Sequence, residues 1–306
     1  MAPKKIFIDG KEGTTGLQIF DRLCSREDIE IISLAEEDRK NPEKRKQALN
    51  SCDIAILCLP DDAAREAVLM VENENVVIID ASTAHRTTDG WVYGLPELSD
   101  EQKEKIISSK RIANPGCHAS GFIALIKPLI DAGAISKNEN LTCHSITGYS
   151  GGGKKMISNY EEEERQELFD APRIYGLTQN HKHLKEMVHI TGLENPPVFC
   201  PIVSDFYSGM LVSVPLFKNQ LKNGYTFEKI VELYKEKYNK DNIKYNENLA
   251  KDGFLNSNQL GVSDIMEITV TGNEDRMVLS AMYDNLGKGA SGAAVQSLNL
   301  ILGGNK

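Results

Sequence analysis

No stretch of the 306-residue sequence approaches the ~20 consecutive apolar residues that a helix needs to cross a bilayer, so no membrane span or membrane partner is expected. The opening "MAPKK" runs directly into a strand-like "IFID". It has neither the apolar core of a signal peptide nor an Arg- and Ser-rich transit segment, and a cytoplasmic protein is expected. Positive charge is in deficit: 35 Lys and Arg against 44 Asp and Glu leave a formal net charge of −9, which argues against nucleic acid or an anionic membrane as partner. An acidic protein that binds an anionic ligand must then gather its cations locally. Paired cysteines are also missing. Cys24, Cys52, Cys58, Cys117, Cys143 and Cys200 are dispersed, with no CxxC pair, so they read as free thiols in a reducing compartment and not as a disulfide framework. No internal repeat and no low-complexity linker is found.

What is present is ample material for a core. An apolar fraction of 41% and a charged fraction of 26% are those of a soluble globular protein, and 306 residues give room for two domains. The first hundred residues alternate between two periods. Short apolar runs predict strands over 4–9, 29–35, 52–60 and 75–82; helical spacing predicts helices over 15–24, 41–50 and 61–71. Pro42 sits near the first turn of the second helix, and two aspartates open the third, where they suit its positive end. Nearly all-apolar strands alternating with helices imply a parallel sheet covered on both faces, a doubly wound α/β domain.

After residue 117 the pattern changes. "HASGFIALIKPLIDAG" predicts a helix, and "NLTCHSITGYSGGG", "PVFCPIVSDF", "GMLVSVPLF", "DIMEITVTGN" and "RMVLSAMYDN" predict strands. Long strands in succession imply a mixed or antiparallel sheet, hence a second, α+β domain. A small-residue-rich segment, 288–302, predicts a closing helix, and the acidic run Glu161–Glu164 reads as a solvated helix face.

Three glycines, Gly10, Gly13 and Gly16, fall between the first strand and the first helix in "IFIDGKEGTTGLQI". Glycine permits a tight turn and close backbone approach, and a helix N-terminus attracts pyrophosphate. The spacing is GxxGxxG, a weak motif by itself that leaves an ordinary Gly-rich turn open; its place directly after the first strand of an alternating pattern favours a dinucleotide loop. The second strand runs into "SLAEEDRK". Ser33 and Arg39 would suit the 2′-phosphate of NADP, whereas Glu36 and Glu37 would suit the free ribose of NAD; the balance leans to NADP.

Cys117 follows Asn-Pro-Gly where a helix is expected to begin. A helix N-terminus and a nearby cation both lower a thiol pKa, so this cysteine is the candidate nucleophile; local sequence alone leaves an inert thiol equally open. The other five read as buried, unreactive thiols. "NHKHLKEM" places His181 and His183 two residues apart, with Glu186 three beyond His183; on a helix Glu186 can orient or charge-stabilise that ring. The pair could instead ligate a metal, but no third ligand stands at suitable spacing, and no metal is expected. His118 adjoins Cys117, yet successive helical residues do not face each other. His85 and Arg86 follow "DAST" at the carboxyl end of the fourth strand, where α/β sheets bind ligands; Arg86 there could clamp a phosphate or carboxylate. A nicotinamide dinucleotide together with an activated thiol implies aldehyde dehydrogenation through a thioester, or its reverse, acyl-phosphate reduction.

Seven blocks in one order, "KIFIDGKEGTTGLQI", "DIAILCLPDDAAREAV", "IIDASTAHR", "ANPGC", "TGYSGGGKKMI", "YGLTQNHKHLKEM" and "YDNLGKGASGAAVQ", make essentially the whole chain resemble the N-acetyl-γ-glutamyl-phosphate reductases of arginine biosynthesis, in their shorter form. The resemblance implies the fold shared by aspartate-semialdehyde and glyceraldehyde-phosphate dehydrogenases: an NADP-binding domain over 1–116 completed by a C-terminal helix within 285–306, and a catalytic, oligomerising domain over 117–284. It implies NADP(H) as cofactor, a small acyl phosphate and its semialdehyde as substrates, and a homodimer or homotetramer. Carried over, Cys117 attacks the γ-acyl phosphate, His183 or alternatively His181 is the acid/base, and Glu186 stands beside it. Arg86, with Asn114 and Ser150, holds the substrate. Gly10, Gly13, Thr14, Thr15 and Gly16 hold the pyrophosphate, Ser33 and Arg39 the adenosine end, and Asn285, Gly287 and Gly289 lie near the nicotinamide. One departure stands out: relatives carry Tyr-Pro-Thr-Gly after the cysteine, and this chain has His118-Ala119-Ser120-Gly121. A same-fold reductase for aspartyl or aminoadipyl phosphate, and a non-catalytic dinucleotide sensor, remain as alternatives.

Overall fold

The computed structural model describes residues 2–240 and 242–303. The chain divides into two compact units, Met1–Pro115 with Ala290–Lys306, and Gly116–Gly289.

In the first unit, strands β1 (Lys4–Asp9), β2 (Ile29–Ile32), β3 (Ile54–Leu57), β4 (Val77–Asp80), β5 (Val92–Tyr93) and β6 (Arg111–Ala113) form one sheet in the order β2-β1-β3-β4-β6-β5, every pair parallel. Helices α1 (Thr14–Leu23), α2 (Pro42–Ser51), α3 (Asp61–Leu69) and α4 (Asp100–Ser108) connect them, and α9 (Gly292–Ile301) returns to the same unit. Successive strand residues point to opposite faces. Ile6, Ile8, Ile54 and Ile56 pack with Ile19 and Leu298 on one face, while Phe7, Ala55 and Leu57 pack with Leu49 and Ala67 on the other. Both faces are dry, which is why these strands read as apolar runs without alternation. Each such Ile or Leu contributes about 1.5–3 kcal/mol by leaving water.

In the second unit, strands β7 (Thr142–Gly148), β8 (Arg173–Ile174), β9 (Val198–Ser204), β10 (Met210–Phe217), β11 (Ile243–Tyr245), β12 (Met266–Gly272) and β13 (Arg276–Tyr283) form a mixed sheet in the order β11-β12-β13-β10-β7-β9-β8. β7 and β9 run parallel, as do β11 and β12; the remaining pairs are antiparallel. Helices α5 (Cys117–Asp131), α6 (Gly153–Glu161), α7 (His183–Thr191) and α8 (Phe227–Lys237) complete the unit. α5 is buried over almost its whole length although Pro128 lies inside it. Proline supplies no N–H for the carbonyl four residues back. The Tyr238 hydroxyl donates to that carbonyl, Ala124 O, at 2.8 Å, and the Tyr234 hydroxyl donates to Leu125 O.

A doubly wound α/β domain and an α+β domain are both present. Differences of detail have physical reasons. The second strand ends at Ile32, not at 35, because the chain turns out toward the polar run that follows. α4 is missing from the sequence-based expectation because its residues are polar and only Ile106 is buried. β5 and β6 are too short to show a period. The run Glu161–Glu164 is exposed but lies at and beyond the C-terminus of α6, not along a helix face. The closing helix starts as a π-helical turn, Gly287–Ser291, and α9 proper ends at Ile301; residues 304–306 of the expected segment lie outside the described residues.

Candidate active site

The first unit carries the glycine-rich turn between β1 and α1. At Gly10 the backbone has φ +86°, and a Cβ there would meet Cys58 O at 2.4 Å; a Cβ on Gly16 would meet Gly10 O at 2.5 Å. These two glycines let the chain turn from β1 into α1 with backbone against backbone. Gly13 is the N-cap of α1, its N–H donating to Gly10 O at 3.0 Å, and would tolerate a Cβ in ordinary contact. Thr14 and Thr15 form the first turn, and Thr14 Oγ1 is buried without a hydrogen-bond partner. A helix N-terminus with a backbone cradle and an orphaned hydroxyl fits a pyrophosphate. Beside it, a cavity of about 560 Å³ is lined by Gly10, Ser33, Glu36, Glu37, Arg39 and Arg45 among others. Ser33 and Arg39 are thus brought to one cavity, but so are both glutamates, and Arg39 pairs with Glu12 at 3.2 Å. Arg45, which the sequence did not single out, is bound to Asp9 at 2.8 Å.

At the end of β4, Asp80 is fully buried and accepts from Ser82 N–H and Ser82 Oγ; His85 Nδ1 lies 2.6 Å from it. The His85 ring stacks on Trp91 at 4.1 Å, so it is part of the scaffold. Arg86 Nε donates to Asn114 O at 2.9 Å, and its Nη2 to Ala81 O at 3.2 Å. Arg86 and Asn114 are therefore neighbours. Asn114 Nδ2 donates to Ala290 O, while Asn114 Oδ1 is buried without a hydrogen-bond partner.

The second unit carries the thiol. Cys117 is the first residue of α5, half-buried, with Gly116 as extended N-cap. Three hydrogen bonds pin this turn. Gly116 N–H donates to Glu186 Oε1 at 2.7 Å, the Tyr283 hydroxyl donates to Cys117 O, and Gly121 N–H donates back to that hydroxyl at 3.0 Å. A Cβ on Gly289 would stand 3.0 Å from Cys117 Cβ, so glycine is what lets that backbone pass so close to the cysteine. His183 opens α7 and is 5% exposed; His181 is half-buried just before it, their ring centroids 4.8 Å apart. Burial first, then Lys182, lowers the His181 pKa. Glu186, expected to serve the His183 ring, also holds the turn that leads into Cys117, through Gly116.

Two assignments to different ligands meet in one hydrogen bond: Asn285 Nδ2 donates to Ser150 Oγ at 3.0 Å, and Asn285 Oδ1 accepts from Gly209 N–H. Gly287 N–H donates to Asp284 Oδ1 at 2.7 Å, and a Cβ at Gly287 would meet Ser263 O at 2.2 Å. Among the other thiols, burial raises Cys52 to about 11 and Cys58 to about 12 and pushes Cys143 up further. Cys24, expected buried, is exposed at the end of α1, and Cys200 is half-buried. Sequence reasoning missed Tyr283, which binds Cys117 O, and Ser145 and Tyr175, which stand 2.6 Å and 2.7 Å from the two ring nitrogens of His118. Tyr175 and Tyr283 were in view as letters of the recognised blocks, but nothing in their spacing marks them.

The two units match, in order, the semialdehyde dehydrogenase NAD binding domain over residues 5–106 and the semialdehyde dehydrogenase dimerisation domain over residues 117–285. Solved structures agree on the fold. Aspartate semialdehyde dehydrogenase II from Vibrio cholerae, complexed with ASA, has a TM-score of 0.74 at 18% identity and covers 100% of both chains. The Candida albicans aspartate semialdehyde dehydrogenase with NADP has a TM-score of 0.69 at 14% identity, covering 98% of this chain and 99% of that one. The fold is thus that of the semialdehyde dehydrogenase class.

Sequence identity narrows the class. The N-acetyl-γ-glutamyl-phosphate reductase 2 of Nostoc sp. is 46% identical over 315 residues, covering 99% of this chain and 98% of the relative. That of Sinorhizobium medicae is 46% identical over 305 residues, covering 97% and 98%. The chain belongs to the N-acetyl-γ-glutamyl-phosphate reductase family.

Proposed function

We propose that the protein reduces N-acetyl-γ-glutamyl phosphate to N-acetyl-glutamate 5-semialdehyde with release of phosphate, in arginine biosynthesis. The observation that carries this reading is Cys117 at the first position of a buried helix whose entry turn is tied to Glu186 and Tyr283. Backbone N–H groups at that helix end favour the thiolate. The thiolate attacks the γ-acyl carbon, a C–S bond forms, the C–O bond to phosphate breaks, and phosphate leaves with its electron pair. When bound, NADPH supplies the hydride that converts this thioester into a thiohemiacetal. Collapse of the thiohemiacetal passes its hydroxyl proton to the acid/base, returns the sulfur as thiolate and frees the aldehyde.

The acid/base is His183. Glu186 follows it by one helical turn on α7, where it can orient the ring, whereas burial first and Lys182 second make His181 a poorer proton acceptor. Arg86, Asn114 and Ser150 are the groups proposed for the substrate. Gly10, Gly13, Thr14, Thr15 and Gly16 are proposed for the cofactor pyrophosphate, Ser33 and Arg39 for its 2′-phosphate, and Gly287 and Gly289, with Asn285 as their support, for its nicotinamide end. The match to a dimerisation domain supports a homo-oligomer, a homodimer or homotetramer. Among the described residues no helix is long and apolar enough to cross a membrane, and the biosynthetic role of the relatives supports a cytoplasmic location.

The test is Cys117→Ser, assayed by semialdehyde oxidation with NADP and phosphate. Activity falls by about 10³-fold or more while NADP binding persists. An unaltered rate contradicts the assignment, and a preference for unacetylated aspartate semialdehyde overturns the substrate.

A further inference from the structure

His118 adjoins Cys117 on α5, and no step above uses it. The ring is 2% exposed and lies among others, with centroids 5.3 Å from Phe199, 5.5 Å from His183 and 5.7 Å from His181. Burial, with His181 as the lesser cause, lowers its pKa to about 3, so the imidazole is neutral at working pH. A neutral imidazole has one nitrogen that donates and one that accepts. Nδ1 lies 2.6 Å from Ser145 Oγ, and Nε2 lies 2.7 Å from the Tyr175 hydroxyl.

Ser145 decides between the tautomers. It is fully buried on β7, and His118 is the partner its hydroxyl has among the described residues. Were Nδ1 protonated, Ser145 would accept and its own proton would be left in a dry interior without an acceptor, an arrangement folded proteins avoid. Ser145 therefore donates to Nδ1. Nε2 then carries the proton and donates to the Tyr175 oxygen. That leaves the Tyr175 O–H pointing away from the imidazole, available to a ligand.

We propose that Ser145 and His118 fix Tyr175 as a hydrogen-bond donor to the substrate oxygen on the carbon that Cys117 attacks. His118 is a positioning residue, and Tyr175 is the group that touches substrate. The Tyr175 ring lies 6.1 Å from that of His181, which stands 4.8 Å from His183, so the phenol belongs to the same group of side chains as the acid/base, and burial raises its pKa and keeps it protonated. A donor aimed at an oxygen that gains charge during reaction strengthens as the reaction proceeds, so it acts on kcat. The proposal rests on Cys117 as nucleophile.

Two readouts test it. In protein labelled with ¹⁵N in its imidazoles, NMR of His118 shows the Nε2–H tautomer between pH 6 and 8. In kinetics, Tyr175→Phe lowers kcat about 10²-fold with little change in KM. His118→Phe gives a loss of similar size, and the double variant is no worse than Tyr175→Phe alone. His118→Gln, which keeps an N–H near the Nε2 position, recovers much of the His118→Phe loss. Thiol alkylation of Cys117 proceeds at the same rate in Tyr175→Phe, since the phenol acts on substrate and not on sulfur. An Nδ1–H tautomer, additive losses, or an undiminished kcat in Tyr175→Phe overturns the proposal. The Cys117 reading fails separately, by an active Cys117→Ser.

Discussion

Between the end of β1 and the first turn of α1, seven consecutive residues, 10–16, form the glycine loop. The surroundings of Cys117 come instead from α5, β7, α7, β13 and the loop after β8, with Tyr283 reaching Cys117 across 166 positions of sequence. The loop works through backbone shape, so its requirement is for residues without side chains. The thiol centre works through side-chain hydrogen bonds that a packed sheet holds in place. A local device is visible in sequence but sensitive to an atom added at Gly10 or Gly16; an assembled one is hidden in sequence and held by hydrogen bonds from several elements.

That difference can be broken at either end. The largest effect is expected for Gly10→Ala, which places a Cβ 2.4 Å from Cys58 O at a backbone φ of +86°. We expect a loss of about 2–3 kcal/mol in urea unfolding together with weakened NADP binding. The wild-type stability would show that the loop relaxes and that backbone shape is not its requirement.

Next comes the support of the thiol centre. His118 has a pKa of about 3 in the fold against 6.5 for an ordinary histidine. The unfolded chain therefore takes up a proton below pH 6.5 that the native protein refuses until near pH 3. Stability from this group is complete above pH 6.5 and declines as pH falls from about 6.5 to about 3, at up to ~1.4 kcal/mol per pH unit. His118→Gln removes that contribution, and its stability–pH curve is shallower than wild type across this window. Parallel curves would show that His118 is not buried neutral.

The smallest effect is the most selective. Thr14→Val removes a buried hydroxyl that has no hydrogen-bond partner. Folding stability stays within about 0.5 kcal/mol, while NADP binding, measured by titration calorimetry, weakens by about tenfold as a charge-assisted hydrogen bond is lost. Unchanged affinity would remove Thr14 from the pyrophosphate site.

The same contrast explains what could be read from sequence. The parallel sheet was legible because the central residues of β1, β3 and β4 are buried on both faces and so form apolar runs without alternation. Gly10 and Gly16 were legible because their constraint is local. β5, β6 and α4 were not, since a strand of two or three residues has no period and a helix with one buried residue has no apolar stripe. Cys117, His183 and Glu186 were found as residue types in recognised blocks, yet the contact between Glu186 and Gly116 joins positions 70 apart and no spacing rule reports it. His118 was the plainest gap. Sequence marked it as a departure beside the nucleophile, and only packing shows a neutral ring between Ser145 and Tyr175.

The central claim is that Cys117 carries the acyl group. The most direct measurement is intact-mass spectrometry of the protein mixed with N-acetyl-γ-glutamyl phosphate in the absence of NADPH and quenched in acid, with phosphate release followed in parallel. The account predicts one N-acetylglutamyl adduct per chain, mapped to the peptide containing Cys117, and one phosphate released per adduct. Phosphate release without an adduct, or an adduct on any other residue, would contradict it.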